Sequence, residues 1–197
     1  VSENSDVSKV YKVISSELPP TRLKPYKNER QPTRQSLVLI GGDGNGYDYS
    51  EKDWYRLAFE FKNISSTFIN SKRTPKFAWQ NLKENSGSEH KHLDTENTDL
   101  ELLTKNLDEH SHIFVTADST TRISEIISRG YFVNVIEMKG PIQYEMHHDF
   151  MQSLQEKGLL KIMRLNELHL SENKYHGNVK KFVVTERDAL KSKLQKL

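Results

Sequence analysis

The chain has 197 residues, enough for one domain of ordinary size with extensions and a real core. Lys and Arg number 29 against 27 Asp and Glu, and this net charge of +2, mixed along the sequence, argues against a strong field for nucleic acid or anionic lipid. There is no cysteine, which excludes disulfides, thiolate chemistry and Cys-based zinc sites, and a hydrophobic fraction of 35% with mean hydropathy -0.75 points to sizeable polar appendages.

Residues 1–35 are polar and punctuated by Pro19, Pro20, Pro25 and Pro32, with one small apolar cluster at Val10, Val13 and Ile14. They read as a short helix or strand followed by an extended linker. The longest unbroken apolar run, Leu37 to Ile40, falls far short of the about 18 residues that span a bilayer. No secretory signal is visible, so the cytoplasm is the expected compartment, with peripheral contact at a membrane surface left open. A start at Val1 without methionine fits a processed or shortened chain.

Leu37 to Ile40 reads as a buried strand that runs into Gly41-Gly42-Asp43-Gly44-Asn45-Gly46. Ser50 with Asp53 forms a capping box, and Trp54, Leu57, Ala58 and Phe61 share one helical face. Thr67 to Ile69 is a second strand, followed by Asn70-Ser71-Lys72-Arg73-Thr74-Pro75. Pro75 suits the first turn of a helix with Phe77, Ala78 and Leu82 as its apolar members. From Asn81 to Asp99 only Leu82 and Leu93 are apolar, which predicts a solvated loop. A helix resumes near Thr98, with Leu100, Leu103 and Leu107 at core spacing.

The central unit is His112 to Gly130. Ile113-Phe114-Val115 is a buried strand, Ala117-Asp118-Ser119 a polar turn, and Ile123, Ile126 and Ile127 the apolar face of a helix that Gly130 ends. Tyr131 to Ile136 supplies the next strand. Tyr144 to Glu156 forms a helix with Phe150, Met151 and Leu154 inward and Gly158 as its cap, and Leu159 to Met163 is an edge strand. Residues 166–197 are charged and weakly patterned, with a final helix expected at Glu186 to Leu197. The βα alternation predicts an α/β fold, a three-layer parallel sheet with helices on both faces.

Three turns are candidates for binding. Glycine amides at 41–46 suit an anion or the edge of a sugar nucleotide, and a flexible turn explains them equally well. The loop is no dinucleotide fingerprint, because Tyr47 stands where the third glycine belongs, and no P-loop. It is no calcium loop either, because Asp48 and Trp54 occupy the places of the required Gly and Glu. Ser71-Lys72-Arg73-Thr74 combines a guanidinium, an ammonium and hydroxyls at a helix start, which suits a diphosphate or merely a basic turn. Ser119, Thr120 and Thr121 open a helix whose Glu125 lies away from the isoleucine face. That carboxylate can hold both hydroxyls of a ribose, or pair with Arg122 or Arg129 on the surface. Adjacent His147 and His148 point to different sides of a helix and cannot jointly hold one metal, which predicts a solvated or core-edge role, and His90 and His92 are assigned no site, so no metal is expected.

On Leu39-Ile40-Gly41-Gly42, Ser71 to Pro75, Val115 to Ser119, Ser124-Glu125 and Gly130, the chain resembles the C-terminal half of the Elm-type mitochondrial fission protein family, over about residues 37–165. That family in turn is similar to the nucleotide-sugar-binding, C-terminal donor-binding half of GT-B glycosyltransferases with two facing Rossmann-like domains. The resemblance implies that Glu125 holds a ribose, that Asp118, Ser119 and Thr120 form the diphosphate turn, that Arg73 and Thr74 sit near the phosphates and that Gly41 and Gly42 line the cleft. It also implies a strand ahead of the central unit, where this sequence has its polar stretch, and a small residue where it has Arg129.

The organisation then reads as a polar arm over 1–35, a Rossmann-like domain over 36–165 with a polar insert at 81–99, and a charged extension over 166–197. The expected function is to bind a UDP-sugar donor, with no other cofactor. A partner domain or subunit would supply the acceptor site, and the catalytic residue is left unassigned. The alternative is a non-catalytic adaptor acting through protein contacts.

Overall fold

The computed structural model describes residues 16–18, 34–97, 99–139, 145–168, 170 and 176–195. Six strands, β1 (Arg34–Leu39), β2 (Ser66–Ile69), β3 (Lys91–Leu93), β4 (His110–Thr116), β5 (Val133–Glu137) and β6 (Leu160–Arg164), form one sheet in the order 3-2-1-4-5-6. All neighbours are parallel. Parallel pairs need crossovers. These contain α1 (Glu51–Phe61), α2 (Lys76–Asn85), α3 (Leu100–Glu109), α4 (Thr120–Arg129) and α5 (Glu145–Glu156), and α6 (His176–Leu194) follows the last strand.

The register decides which side chains meet which helices. Val38 is opposite both Phe68 and Phe114, so the three share a face. There Phe61 of α1 meets Phe68 and Phe114 edge-on, with centroids 5.6 and 5.3 Å apart. Their neighbours Leu39, Ile69 and Val115 point the other way and meet Leu103 of α3 beneath the cleft described below. Helices thus cover both faces, as the alternation predicted.

Local signals act as expected at several ends. The Asp53 carboxylate accepts the Ser50 N–H at 2.7 Å and the Ser50 hydroxyl at 2.6 Å, which fixes the start of α1. Asp99 caps α3 by accepting the Leu102 N–H at 2.7 Å. Gly130 ends α4 at φ +102, a conformation that costs other residues strain.

Other expectations give way. The stretch 81–99 is not a loop: α2 runs to Asn85 and β3 occupies Lys91–Leu93, where His92 stacks on Phe68 at 5.3 Å. Phe77 is not a core member, since Pro75 is the N-cap and the resulting helical phase buries Ala78, Trp79 and Leu82. Arg129, at a position the resemblance gives to a small residue, is buried and clamps Asp108 with Nη2 contacts of 2.6 and 2.8 Å. The Tyr131 hydroxyl donates to the same carboxylate at 2.7 Å. The last helix begins at His176 and buries Val179 and Val183, with Arg187 donating to the Ser128 carbonyl of α4 at 3.1 Å. In the N-terminal arm Leu18 is buried and the Glu17 N–H donates to Glu186 at 2.8 Å, whereas Val10, Val13 and Ile14 lie outside the described residues.

Candidate functional site

Strand order reverses between β1 and β4, where the chain leaves one strand toward α1 and the other toward α4. A crevice opens outside the carboxyl ends of strands at such a point. Its walls are the turn after β1 (Ile40–Gly46), the turn after β2 (Asn70–Pro75) and the turn after β4 (Ala117–Ser119).

These turns are locked to one another. The Gly41 N–H donates to the Thr116 hydroxyl at 2.7 Å, and the Gly42 N–H to Asp118 Oδ2 at 3.1 Å. Arg73 Nη2 donates to the same oxygen at 2.7 Å while Nη1 donates to the Asp43 carbonyl at 2.8 Å. Thr74 Oγ1 donates to the Gly41 carbonyl at 2.5 Å and accepts the Ser71 N–H at 2.9 Å. Asn45, in the left-handed region at φ +50, reaches over with Nδ2 to the Asp118 carbonyl at 2.7 Å and the Thr120 hydroxyl at 2.9 Å.

The glycines are required by this interlock. A Cβ on Gly41 would sit 2.0 Å from Asp118 Oδ2, and one on Gly42 would sit 2.1 Å from the Arg73 carbonyl oxygen. Both amides are occupied within the protein, so the glycines act by letting the turns close and not by presenting free N–H groups.

Asp118 is fully buried. Desolvation pushes its carboxyl above the usual carboxylate range, opposed by hydrogen bonds and by the Arg73 charge. Among the described residues its Oδ1 has no hydrogen-bond partner. Nearby, the buried Tyr49 hydroxyl and His147 Nε2 also find no hydrogen-bond partner among the described residues, and burial raises the Tyr49 hydroxyl and lowers the His147 imidazole. His147 packs edge-on against Tyr47 and approaches the Thr120 hydroxyl at 3.4 Å. His90 is buried against Phe68. Among the described residues no cluster of three or more metal-ligating side chains occurs.

The cleft encloses about 360 Å³. Leu39, Ile69, Leu103 and Val115 form its floor, Lys72, Arg73 and Arg122 supply cationic groups, and Asn70, Ser71, Thr95 and Ser119 add polar ones. Among the described residues no carboxylate lines it. The lining therefore favours an anion, with an apolar patch beside the charged rim. The α4 N-terminus opens here with its first-turn amides uncapped by Ser119.

Of the residues singled out by sequence, Gly41, Arg73 and Ser119 line the cleft, Gly42, Thr74 and Asp118 hold its walls together, and Thr120 starts α4 beside Asn45. Glu125 is not in the lining; its Oε2 accepts from Arg122 Nη1 at 3.1 Å. Sequence reasoning treated Arg122 only as a partner for Glu125 and missed its place in the lining. The one usable signal was its position three residues after Ser119, on the first turn of α4. Asn70 and Thr95 were missed because the contact of β2 with β3, which brings them together, is long-range.

A family model described as Mitochondrial fission ELM1 matches residues 12–184. Among solved structures the chain is similar to MurG of Acinetobacter baumannii, at 14% identity and TM-score 0.47, over 84% of this chain and 50% of that one. It is similar to YcaC of Pseudomonas aeruginosa at 11% identity and TM-score 0.46, over 87% and 98%. It is also similar to Medicago truncatula UGT71G1 complexed with UDP-glucose at 11% identity and TM-score 0.46, over 81% and 37%. The chain thus spans half or less of the MurG and UGT71G1 chains, and likeness at this level fixes neither substrate nor activity. No curated protein matches.

Proposed function

The chain belongs to the Mitochondrial fission ELM1 family, and on that premise we propose that its cleft binds the diphosphate of a nucleotide-linked sugar. One observation carries this reading: the crevice where strand order reverses is lined, among the described residues, by Lys72, Arg73 and Arg122 and by no carboxylate. Ser71 and Ser119 add hydroxyls that an anionic oxygen can accept from, and the apolar floor leaves room for a flat, less polar group beside the charged end. Gly41, Gly42, Thr74 and Asp118 serve the site by fixing the three turns.

Chemically, such cations stabilise charge that develops on a departing diphosphate, with no bond made to the protein. This donor-binding half needs a partner domain or subunit to supply an acceptor and a base. Calorimetric titration with UDP, UDP-N-acetylglucosamine and GDP tests the reading on the wild type and on Lys72→Ala. Saturable binding of one nucleotide, weakened in the variant, supports it; no binding of any of them to the folded wild type overturns it.

A second reading, an adaptor acting through protein contacts, is favoured by Tyr55 and Phe59. They stand one turn apart on α1, 57% and 71% exposed. A binding partner captured by the wild type and lost by Tyr55→Ser/Phe59→Ser, yet kept by Lys72→Ala, would support it.

A further inference from the structure

We infer that Glu125 guards the cleft: it holds Arg122 in an internal ion pair that an incoming diphosphate must displace, and Arg122 with Lys72 sets the preference for two phosphates over one. This rests on the proposed diphosphate site and deepens it. Arg122 Nη1 lies 3.1 Å from Glu125 Oε2, one turn apart on α4, and only the arginine reaches the cleft lining. Both side chains are about one-third exposed, at 36% and 30%, so the pair exchanges readily with an outside anion.

The other cations are placed differently. Arg73 is committed to buried Asp118 and to the Asp43 carbonyl, which makes it part of the wall. Lys72, from the turn after β2, is exposed and has no ion-pair partner among the described residues. One free cation and one lightly held cation therefore come to the same cleft from separate elements. A single phosphate can satisfy Lys72 alone, whereas a diphosphate has charge enough to draw Arg122 off Glu125 as well.

The alternative role for Glu125, accepting from ribose hydroxyls, predicts the opposite sign for one variant. With Glu125→Gln the counter-charge of Arg122 is gone. The guard predicts UDP binding about three- to tenfold tighter, from release of a surface ion pair and of one repulsive charge. A ribose clamp predicts weaker binding. The experiment is calorimetric titration of the wild type, Glu125→Gln and Arg122→Ala with UDP, UMP and inorganic pyrophosphate. The expected results are tighter UDP and pyrophosphate binding in Glu125→Gln, and about ten- to a hundredfold weaker binding of both in Arg122→Ala with UMP affected little. Unchanged or weaker UDP binding in Glu125→Gln, with the wild type binding normally, overturns the guard. No binding of UDP or pyrophosphate by the wild type overturns the diphosphate site itself.

Discussion

Replacing Arg73 by Ala removes two hydrogen bonds at once, one to the Asp118 carboxylate and one to the Asp43 carbonyl. The first is charge-assisted and ends on a fully buried acceptor, a contact that is worth about 1.5–3 kcal/mol. Because the Arg73 side chain is 44% exposed and partly screened, the lower half of that range applies. With the second bond, the expected loss is about 3 kcal/mol at pH 7, or about 6–12 °C in Tm for a domain of this size. The pH dependence gives a sharper check. Burial raises the Asp118 carboxyl above its ordinary value, so in the folded protein it takes up a proton more readily than in the unfolded chain. Its contribution is then fully present below the unfolded carboxylate range and is lost as pH rises through the folded value. Removing the Arg73 charge raises that folded value further. The penalty of Arg73→Ala should therefore shrink as pH is lowered and the buried carboxyl takes up a proton, falling toward the about 1 kcal/mol of the Asp43 bond once that carboxyl is neutral. Urea denaturation of both proteins at pH 7 and near pH 4 measures it. A loss below about 1 kcal/mol at pH 7, or one equal at both pH values, would refute the buried-carboxylate reasoning.

Three further outcomes are expected. Gly41→Ala forces a methyl into the Asp118 carboxylate, and overpacking of this kind costs about 3 kcal/mol or more, seen as a lower urea midpoint without loss of secondary structure by circular dichroism. Asp108→Ala removes the carboxylate that the buried Arg129 guanidinium and the Tyr131 hydroxyl both grip and should cost about 3–5 kcal/mol in the same assay; a cost under 1 kcal/mol would show the clamp to be dispensable. Phe61→Ala removes the ring between Phe68 and Phe114 and should cost about 3–5 kcal/mol, whereas Phe77→Ala, at a half-exposed ring, should stay within about 0.5 kcal/mol.

Elements whose signal is local were legible in the sequence. Ile113-Phe114-Val115, the three isoleucines of α4 and Gly130 write a buried strand, an amphipathic helix and its end into one continuous stretch, and Ser50 with Asp53 does the same for α1. β3 was hidden because Lys91-His92-Leu93 carries a single apolar residue; among the described strands it is an edge strand paired with β2, and His92 packs it onto Phe68. Phe77 misled because one residue of helical phase, set by Pro75, exchanges it for Trp79. At the site, the polar turns could be located, but not the pairing of Arg73 with Asp118 or of Asn45 with Thr120, since both bonds join segments that only the sheet brings together. Which cations remain for a ligand depends on those pairings.

The interlock of Gly41, Gly42, Arg73 and Asp118 also bears on heredity. The space that Gly41 leaves empty is the space the Asp118 carboxylate occupies, so neither codon can change freely while the other is kept. In a randomised library selected for stability, an alanine at position 41 should survive mainly beside a shorter side chain at position 118. The residue at one position thereby decides whether the same substitution at the other is destabilising or tolerated.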